Sequence, residues 1–200
     1  MSERFRKLFP TIVSEGSLAG GASLKKRLLD DIRAFSAQDK MGRAWSKENY
    51  RSGYTSYGSL SDLHHRYPSF SDLEKKLNPL ARAFSREMGW AKELEIEMSA
   101  CWANVMEEGA YHTLHLHPHS ILSGTYYVSV PSGSSGLRIE DPRMAFYMQA
   151  PVGKAPLYYS VAPKEGAFVL FESWLRHEVP PNQSKKPRVS VSFNYSISNA

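Results

Sequence analysis

Residues 188–195 read Arg-Val-Ser-Val-Ser-Phe-Asn-Tyr, a segment in which polar and apolar side chains alternate without a break. The even positions, beginning with Arg188, are polar, and the odd positions, beginning with Val189, are apolar. A period of two is that of a β-strand, whose successive side chains point to opposite faces of a sheet. The polar face either meets solvent or lines the interior of a barrel, where a guanidinium can bind a carboxylate and the Ser190 hydroxyl can assist.

The same period of two recurs through the C-terminal half of the chain. It first appears after residue 90, in residues 94–102. Gly and Pro clusters separate the other strand candidates, which are residues 123–130, 136–140, 157–161, 166–171 and 188–195. Six or more short strands at this spacing predict a sandwich or a barrel.

The N-terminal part has the period of helices instead. Apolar residues recur every three or four positions at Leu24, Leu28, Ile32 and Phe35. A second helix is predicted from the capping box Ser-Asp-Leu-Glu at residues 71–74, with a kink or break at Pro79. Residues 45–67, rich in Tyr, Ser and Gly, are predicted to form an ordered loop. Helices followed by strands predict an α+β fold in which helices buttress one sheet.

The composition is that of a globular protein, with 42% hydrophobic and 22% charged residues, and it argues against disorder. The 200 residues are predicted to form one domain, with mainly helical support in residues 1–90 and the sheet core in residues 91–200. Cys101 is the only cysteine, so no disulfide can form within the chain, which favours a reducing compartment. We expect a cytoplasmic protein, because the sequence shows neither a signal-peptide core nor a run of about 18 apolar residues.

The net charge of +5 is interpreted mainly as a contribution to solubility, because Lys and Arg are scattered. No nucleic-acid motif accompanies the charge, so nucleic-acid binding is not expected, and neither is a membrane partner. The expected partner is a small-molecule or peptide substrate that the sequence does not identify. A homodimer is left open.

Histidines cluster in the strand-rich half. Residues 111–119 read Tyr-His-Thr-Leu-His-Leu-His-Pro-His, and His177 follows much later. Residues two apart in an extended segment point the same way, so His115 and His117 can hold one metal ion, and so can His117 and His119. Imidazole suits zinc, copper, iron and nickel, and His177 from a distant strand would complete one face of the coordination sphere.

The other histidines are predicted not to bind the metal. His112 precedes the His115-x-His117 pair by an odd number of residues, so regular strand geometry points it away. His119 follows a proline that should bend the chain out of strand geometry. Either imidazole can still orient a metal-binding histidine through a hydrogen bond, without contacting the metal itself. His64 and His65 are interpreted as solvated or core side chains.

Several short motifs resemble those of the iron(II)- and 2-oxoglutarate-dependent oxygenases. They are His-x-His-Pro-x-Ser at residues 115–120, Ser-Gly-x-Tyr-Tyr at 123–127, Asp-Pro-Arg at 141–143, Ser-Trp-Leu-x-His at 173–177 and Arg-x-Ser at 188–190. The chain is similar to a bacterial and phage branch of unassigned substrate, distantly related to prolyl 4-hydroxylases. The resemblance extends over about residues 95–196. It implies a double-stranded β-helix, or jelly-roll, core on which the N-terminal helices pack.

The resemblance also implies roles for individual residues. It implies iron(II) bound by His115, His117 and His177, with His117 in place of the usual carboxylate. It implies that the distal carboxylate of the cosubstrate 2-oxoglutarate pairs with Arg188, with Ser190 beside it and the Tyr127 hydroxyl as a further contact. Asn194 shares a strand face with Arg188 and is expected to line the same cosubstrate pocket. Tyr126 is the alternative to Tyr127, because the sequence does not decide which of these two neighbouring residues points into the pocket. Either ring can instead pack in the core. If a carboxylate completes the metal site, the candidates are Glu107, Glu108, Glu140 and Asp141.

Two other functions stay open. Gly109, five further residues and the His115-x-His117 pair also resemble a cupin opening, which implies a three-histidine metalloprotein or dioxygenase that uses no 2-oxoglutarate. The glutamate that a cupin carries a few residues later is missing, and Arg188 has no role in a cupin. The third alternative is a binding module with a structural metal, against which an open ligand set argues. The favoured function is a hydroxylase-type oxygenase, which would convert 2-oxoglutarate to succinate and carbon dioxide.

Overall fold

The computed structural model describes residues 4–143, 148 and 156–198. Its helices are α1 (Gly21–Gln38), α2 (Lys40–Asn49), α3 (Leu63–Arg66) and α4 (Pro68–Glu87). Its strands are β1 (Val13–Ser17), β2 (Gly53–Thr55), β3 (Ile96–Met106), β4 (His112–His115), β5 (Leu122–Ser129), β6 (Leu137–Glu140), β7 (Tyr158–Val161), β8 (Ala167–Glu172), β9 (His177–Val179) and β10 (Arg188–Ile197).

The strands form two antiparallel sheets. The larger sheet has the order β1-β8-β5-β10-β3-β2, and the smaller sheet has the order β4-β9-β6-β7. The strands from β3 to β10 are thus shared equally between the two sheets, as in a double-stranded β-helix. The prediction of an α+β fold with a jelly-roll core is confirmed.

The helices cover the outer face of the larger sheet. In α1 and α4 the apolar residues at helical spacing are buried, among them Leu28, Ile32, Leu73 and Leu77. They pack against the odd-numbered residues of β10, such as Val191 and Phe193. Burying one such side chain fully is worth about 1.5–3 kcal/mol, so this face of β10 is strongly specified. The helices therefore buttress one sheet, as predicted.

The even-numbered residues of β10 face the space between the two sheets. Arg188, Ser190 and Asn194 are all buried there. A second apolar cluster from both sheets closes the far end of this space, and it contains Met106, Leu137, Val169, Phe171 and Val179. The polar face of β10 thus lines the interior of the jelly roll. The alternative, in which β10 is a surface strand with its polar face exposed to solvent, is wrong.

Three details of the N-terminal half differ from the prediction. Residues 45–67 contain the end of α2, β2 and α3 in addition to loops. The helix α4 begins at Pro68 rather than at the capping box, because a proline at the first helical position has a suitable fixed φ angle. It also continues through Pro79, since burial of Leu77 and Ala81 against the sheet offsets the lost hydrogen bond.

The N-terminal half also contributes strands to the larger sheet. The strand β1 pairs with β8 at one edge, and β2 pairs with β3 at the other. The prediction of mainly helical support missed these two short edge strands. In the described part of the chain, no helix combines the length and the apolar character needed to cross a bilayer.

Candidate metal centre and cosubstrate cavity

Three histidines converge between the two sheets. His115 on β4 and His177 on β9 are directly opposite each other in the antiparallel ladder, and their ring centroids are 4.3 Å apart. His117 follows the end of β4, and its backbone N–H donates to the carbonyl of Ser173 at 3.0 Å. One ligand nitrogen from each of the three imidazoles lies within 4.8 Å of the other two. The antiparallel register of β4 and β9 thus places together residues that are far apart in the chain.

Backbone carbonyls orient two of the three rings. The Nδ1 atom of His115 donates to the carbonyl of Thr113 at 2.6 Å, and Nδ1 of His177 donates to that of Leu175 at 2.8 Å. The Nε2 atoms of both rings therefore carry the free lone pairs that a metal requires. The Nε2 atoms of His117 and His177 lie 3.2 Å apart.

The imidazoles of His117 and His177 are neutral at physiological pH. Burial lowers the pKa of His177 to about 3 and the pKa of His117 to about 4, and the neighbouring His115 contributes to both shifts. Neutral imidazole is the form that binds iron, nickel, copper or zinc. The donor set therefore fits the iron(II) ion that the resemblance implies.

No carboxylate belongs to this cluster in the described part of the chain. Three of the acidic candidates form ion pairs elsewhere: Glu108 with Lys185, Glu140 with Arg176 and Asp141 with Arg143. The fourth, Glu107, is exposed. Among the described residues the geometry therefore favours a site of three imidazoles.

Arg188 shares one cavity with the three histidines. The cavity has a volume of about 460 Å³ and also contains Ser190 in its wall. The guanidinium is buried, with 2% of the residue exposed; its Nη1 donates to Met106 Sδ at 3.0 Å and to Ser190 Oγ at 3.1 Å. Its Nε has no hydrogen-bond partner, and none of the described carboxylates forms an ion pair with it. A buried cation without an anion is costly, so this position calls for an anionic ligand.

The two candidate tyrosines lie on opposite faces of β5. Tyr127 is opposite Ser190 in the ladder, and the Arg188 Cζ lies 5.1 Å from the centre of its ring. Tyr126 belongs to the apolar cluster under the helices. The structure thus turns Tyr127, not Tyr126, toward the guanidinium. Tyr127 lies beneath Arg188 and is not among the described residues that line the cavity.

Asn194 is nearer to the metal centre than to Arg188. Its Oδ1 accepts a hydrogen bond from Ser123 Oγ at 2.9 Å, and Ser123 in turn contacts Ser173 at 2.8 Å. Burial is the main cause of the lowered pKa of His117, and the Asn194 side chain opposes it. Asn194 therefore lines the cavity beside a ligand imidazole, at the opposite end of the polar face of β10 from Arg188.

Several cavity residues were not identified from the sequence. Trp102 stacks on His117 with ring centroids 5.8 Å apart, and Asn104 donates to Ser192 Oγ at 3.0 Å while its own Oδ1 is buried without a partner. Both lie on the inward face of β3. The alternation in residues 94–102 does not indicate this, because the register against β10 shifts between Met98 and Ala100 and puts Trp102 and Met98 on opposite faces. Tyr50 also lines the cavity, but it comes from the helical half and no local pattern marks it.

The flanking histidines differ in position. His112 lines the cavity, so the prediction that it points away is wrong. The register of β4 against β9 shifts between His112 and His115, and such a bulge turns the side chains of one strand segment to the other face. His112 nonetheless stays outside the metal-binding cluster, and His119 is exposed with a left-handed φ of 67°. His64 is a buried core residue, and His65 is exposed.

The cavity opens to solvent between the helical half and β4. Its mouth carries partly exposed apolar side chains, namely Trp45, Tyr57, Tyr111 and Leu116. Residues 45–67 thus contribute part of the cover of the cavity.

The fold is similar to that of several solved structures. They include a prolyl-4-hydroxylase from Pseudomonas putida, at 16% identity with a TM-score of 0.65 and 94% of both chains covered. HygX from Streptomyces hygroscopicus, with nickel and 2-oxoglutarate bound, is 11% identical with a TM-score of 0.63, covering 94% of this chain and 84% of that one. The non-heme α-ketoglutarate-dependent epimerase SnoN of nogalamycin biosynthesis is 12% identical with a TM-score of 0.67, covering 94% and 77%. At these identities the likeness shows the fold alone.

The sequence also matches a protein family. Residues 100–194 match the family described as "Putative 2OG-Fe(II) oxygenase", and this segment runs from within β3 to within β10. No curated protein matches the chain at a significant level. The match covers 95 of the 200 residues, and together with the fold it is consistent with a distant member of the 2OG-Fe(II) oxygenase superfamily.

Proposed function

We propose that this chain binds iron(II) and 2-oxoglutarate in its interior cavity and oxidises a C–H bond of an organic substrate, as a hydroxylase-type oxygenase. The observation that carries the proposal is the placement of Arg188. A buried guanidinium with no carboxylate partner among the described residues shares one cavity with three convergent imidazoles. A cupin-type dioxygenase would leave this arginine without a function.

His115, His117 and His177 would hold the iron on one face, which leaves the opposite face for cosubstrate and oxygen. When bound, iron(II) and 2-oxoglutarate supply the two-electron oxidation by oxygen, with succinate and carbon dioxide as the products of the cosubstrate. The chain's own contribution to the metal is orientation. Backbone carbonyls fix the rings of His115 and His177, and Asn194 lies against His117.

At the other end of the cavity, Arg188 would bind the distal carboxylate of 2-oxoglutarate. Its unpartnered Nε and the nearby hydroxyl of Ser190 suit a carboxylate, because charge-assisted hydrogen bonds to an anion are strong in a poorly solvated cavity. The ring of Tyr127 would support the guanidinium from below. The apolar walls at Phe171 and Val179 would limit the entry of water.

The substrate would enter at the mouth formed by Trp45, Tyr57, Tyr111 and Leu116. Exposed apolar side chains gathered around a cavity are typical of a ligand-binding site. A small molecule or a peptide segment suits this opening. We further propose the cytoplasm as the place of action, because the only cysteine is a buried thiol and the chain needs no disulfide.

The test is anaerobic titration of iron(II)-loaded protein with 2-oxoglutarate, followed by calorimetry and by the visible charge-transfer band of an iron–oxoacid chelate. The wild type is expected to bind and to develop the band. Arg188→Ala is expected to bind about 30-fold more weakly, equivalent to about 2 kcal/mol, because a buried carboxylate loses its partner. Its iron content should be unchanged. The control is Arg27→Ala, which removes an exposed cation that pairs with Asp72 on the helical face.

Two results would count against the proposal. A wild-type protein that binds iron but gives neither heat nor a band with 2-oxoglutarate would contradict the function itself. Equal affinity in the wild type and Arg188→Ala would contradict the assignment of the carboxylate site.

A further inference from the structure

A hydrogen-bonded pair in the cavity belongs neither to the metal centre nor to the arginine site. The hydroxyl of Tyr50 and the Nε2 of His112 are 2.8 Å apart, and the two ring centroids are 4.8 Å apart. Tyr50 directly follows α2, whereas His112 begins β4, so the pair joins the helical half to the smaller sheet. Both residues line the cavity that contains Arg188 and the three histidines.

The pair lies near Arg188. Tyr50 packs in the same apolar cluster as Met106, whose sulfur accepts the hydrogen bond from the Arg188 Nη1 at 3.0 Å. After burial, the largest influence on the pKa of both Tyr50 and His112 is the charge of Arg188, which lowers each of them. His112 is also opposite Val179, a residue of the cavity wall. The pair and the guanidinium therefore face the same cavity.

The protonation state of Tyr50 and His112 decides which atom of the pair can donate a hydrogen bond to a ligand. Burial raises the pKa of the Tyr50 phenol, which is therefore protonated and can donate to the Nε2 atom of His112. Desolvation lowers the pKa of His112 to about 3, so the ring is neutral and carries a single proton. With Nε2 accepting from Tyr50, that proton lies on Nδ1, which makes no hydrogen bond to a described residue. The pair thus ends in one neutral N–H donor.

We infer that Tyr50 and His112 form a positioning pair for the cosubstrate, in which the Nδ1–H of His112 donates to the distal carboxylate beside Arg188. The inference rests on the proposed function, because the carboxylate is that of 2-oxoglutarate. A carboxylate has about four acceptor positions, and Nη1 of Arg188 is already shared between Met106 and Ser190. A neutral second donor completes the hydrogen bonding of the anion without placing another positive charge near the metal.

The bulge in β4 explains how one short strand serves both sites. Without the register shift, His112 and His115 would face opposite sides, because three positions separate them. With the shift, their ring centroids are 6.3 Å apart and both rings face the cavity. The strand therefore presents a metal ligand at its end and a carboxylate donor at its beginning.

The test compares His112→Ala, His112→Gln and Tyr50→Phe by anaerobic calorimetry, with iron(II) and 2-oxoglutarate titrated separately. His112→Ala should weaken 2-oxoglutarate binding about 10-fold to 100-fold, because a hydrogen bond to a charged group is lost. His112→Gln keeps an N–H donor and should recover most of that loss. Tyr50→Phe should weaken binding about threefold to tenfold, since the proton of His112 is no longer held on Nδ1. Iron(II) affinity in the absence of cosubstrate should stay at the wild-type value, and His65→Gln is the matched control on an exposed imidazole.

A second readout does not depend on the loaded enzyme. Nitrogen-15 NMR of labelled histidines in the metal-free protein should show His112 as the neutral Nδ1–H tautomer, and Tyr50→Phe should abolish that preference. The inference is overturned if the wild type binds 2-oxoglutarate with Arg188 required, while His112→Ala and Tyr50→Phe bind it equally well. It is also overturned if His112→Gln loses iron(II) affinity in parallel, since the pair would then serve the metal. Absence of 2-oxoglutarate binding in the wild type would instead be a failure of the proposed function.

Discussion

The Nε2 atoms of His117 and His177 lie 3.2 Å apart, although the two residues are 60 positions apart in the sequence. The Nδ1 of His177 already donates to a backbone carbonyl, so its Nε2 presents a lone pair toward His117. Two facing lone pairs repel unless a proton or a metal ion lies between them. His117 can place its single proton in this contact in the metal-free protein, and a bound metal ion would take the place of that proton between the two nitrogens.

Removal of any one of the three imidazoles should cut metal binding. His115→Ala, His117→Ala and His177→Ala are each expected to lower the iron(II) affinity by at least about 100-fold, because two neutral imidazoles make a much weaker site. The measurement is metal content after dialysis against a known free iron(II) concentration. His65→Ala is the control, since His65 is exposed, whereas His64 is buried and its removal would disturb the core. If the triple variant retained one iron per chain, the assignment would be wrong.

The stability of the metal-free protein should fall below about pH 6.5. In the folded protein the pKa is lowered to about 4 in His117 and to about 3 in His177. In the unfolded chain each ring has an ordinary pKa of about 6.5. Below about pH 6.5 the unfolded chain therefore takes up protons that the folded protein does not. Above about pH 6.5 both rings are neutral in the folded and in the unfolded protein, so their titration does not change the free energy of unfolding. Between about pH 6.5 and 4, each ring should lower the free energy of unfolding by up to about 1.4 kcal/mol per pH unit.

Urea unfolding of chelator-treated protein at about pH 7, 6 and 5 measures this slope. A His117→Gln, His177→Gln double variant should show a shallower slope, because it lacks two of the groups that titrate only when unfolded. A free energy of unfolding that does not change between about pH 7 and 5 would mean that these rings are not buried in the neutral form.

The sequence alone predicted the jelly roll and the metal-binding histidines because both depend on local patterns. Alternation in residues 188–195 is a property of one strand, and the His115-x-His117 spacing depends on two adjacent positions. The direction in which β10 faces was open until the helices were placed, because their apolar residues cover its odd-numbered side. A local pattern cannot decide that question.

The parts of the site that escaped prediction depend on long-range or irregular geometry. Tyr50 reaches the cavity only because the end of α2 lies against the smaller sheet. His112 turns inward only because β4 shifts register against β9, and neither glycine nor proline marks that bulge in the sequence. The choice between Tyr126 and Tyr127 required the register of β5, which sets the facing of both rings at once.

Asn194 should matter for the metal more than for the cosubstrate. Asn194→Ala is expected to weaken iron(II) binding about 10-fold to 100-fold, because a group that holds a ligand imidazole is lost. The affinity for 2-oxoglutarate at saturating iron(II) should change by less than about threefold, since Arg188 is untouched. Calorimetry of both ligands measures the two effects. Asn78→Ala is the control, because that amide contacts Tyr195 on the helical side. A loss confined to 2-oxoglutarate would place Asn194 among the cosubstrate contacts instead.

Tyr127 should act on the cosubstrate through its ring. Tyr127→Phe preserves the aromatic face beneath the guanidinium, 5.1 Å from Cζ, and is expected to keep 2-oxoglutarate affinity within about threefold. Tyr127→Leu removes that face and should weaken binding about tenfold. Tyr126→Phe, on the opposite face of β5, should leave binding unchanged. A larger loss in Tyr127→Phe would show instead that the hydroxyl itself contacts the carboxylate.

A metal centre that has no carboxylate ligand among the described residues should couple the binding of iron(II) to that of 2-oxoglutarate. Three neutral imidazoles leave the full double charge on iron(II), so the dianionic cosubstrate is attracted strongly in a poorly solvated cavity. Binding of iron and of 2-oxoglutarate should then be positively coupled, each raising the affinity for the other by the same factor. His117→Asp would preserve a metal site but weaken the coupling, because its negative charge opposes that of the cosubstrate.

Calorimetric titration of the wild-type protein with iron(II), without oxygen and in the presence or absence of 2-oxoglutarate, is the most direct test that these residues form one oxygenase site. Saturating 2-oxoglutarate is expected to raise the iron(II) affinity by at least about tenfold, and by less in His117→Asp. An iron(II) affinity that is the same with and without 2-oxoglutarate would contradict a shared site for the metal and the cosubstrate.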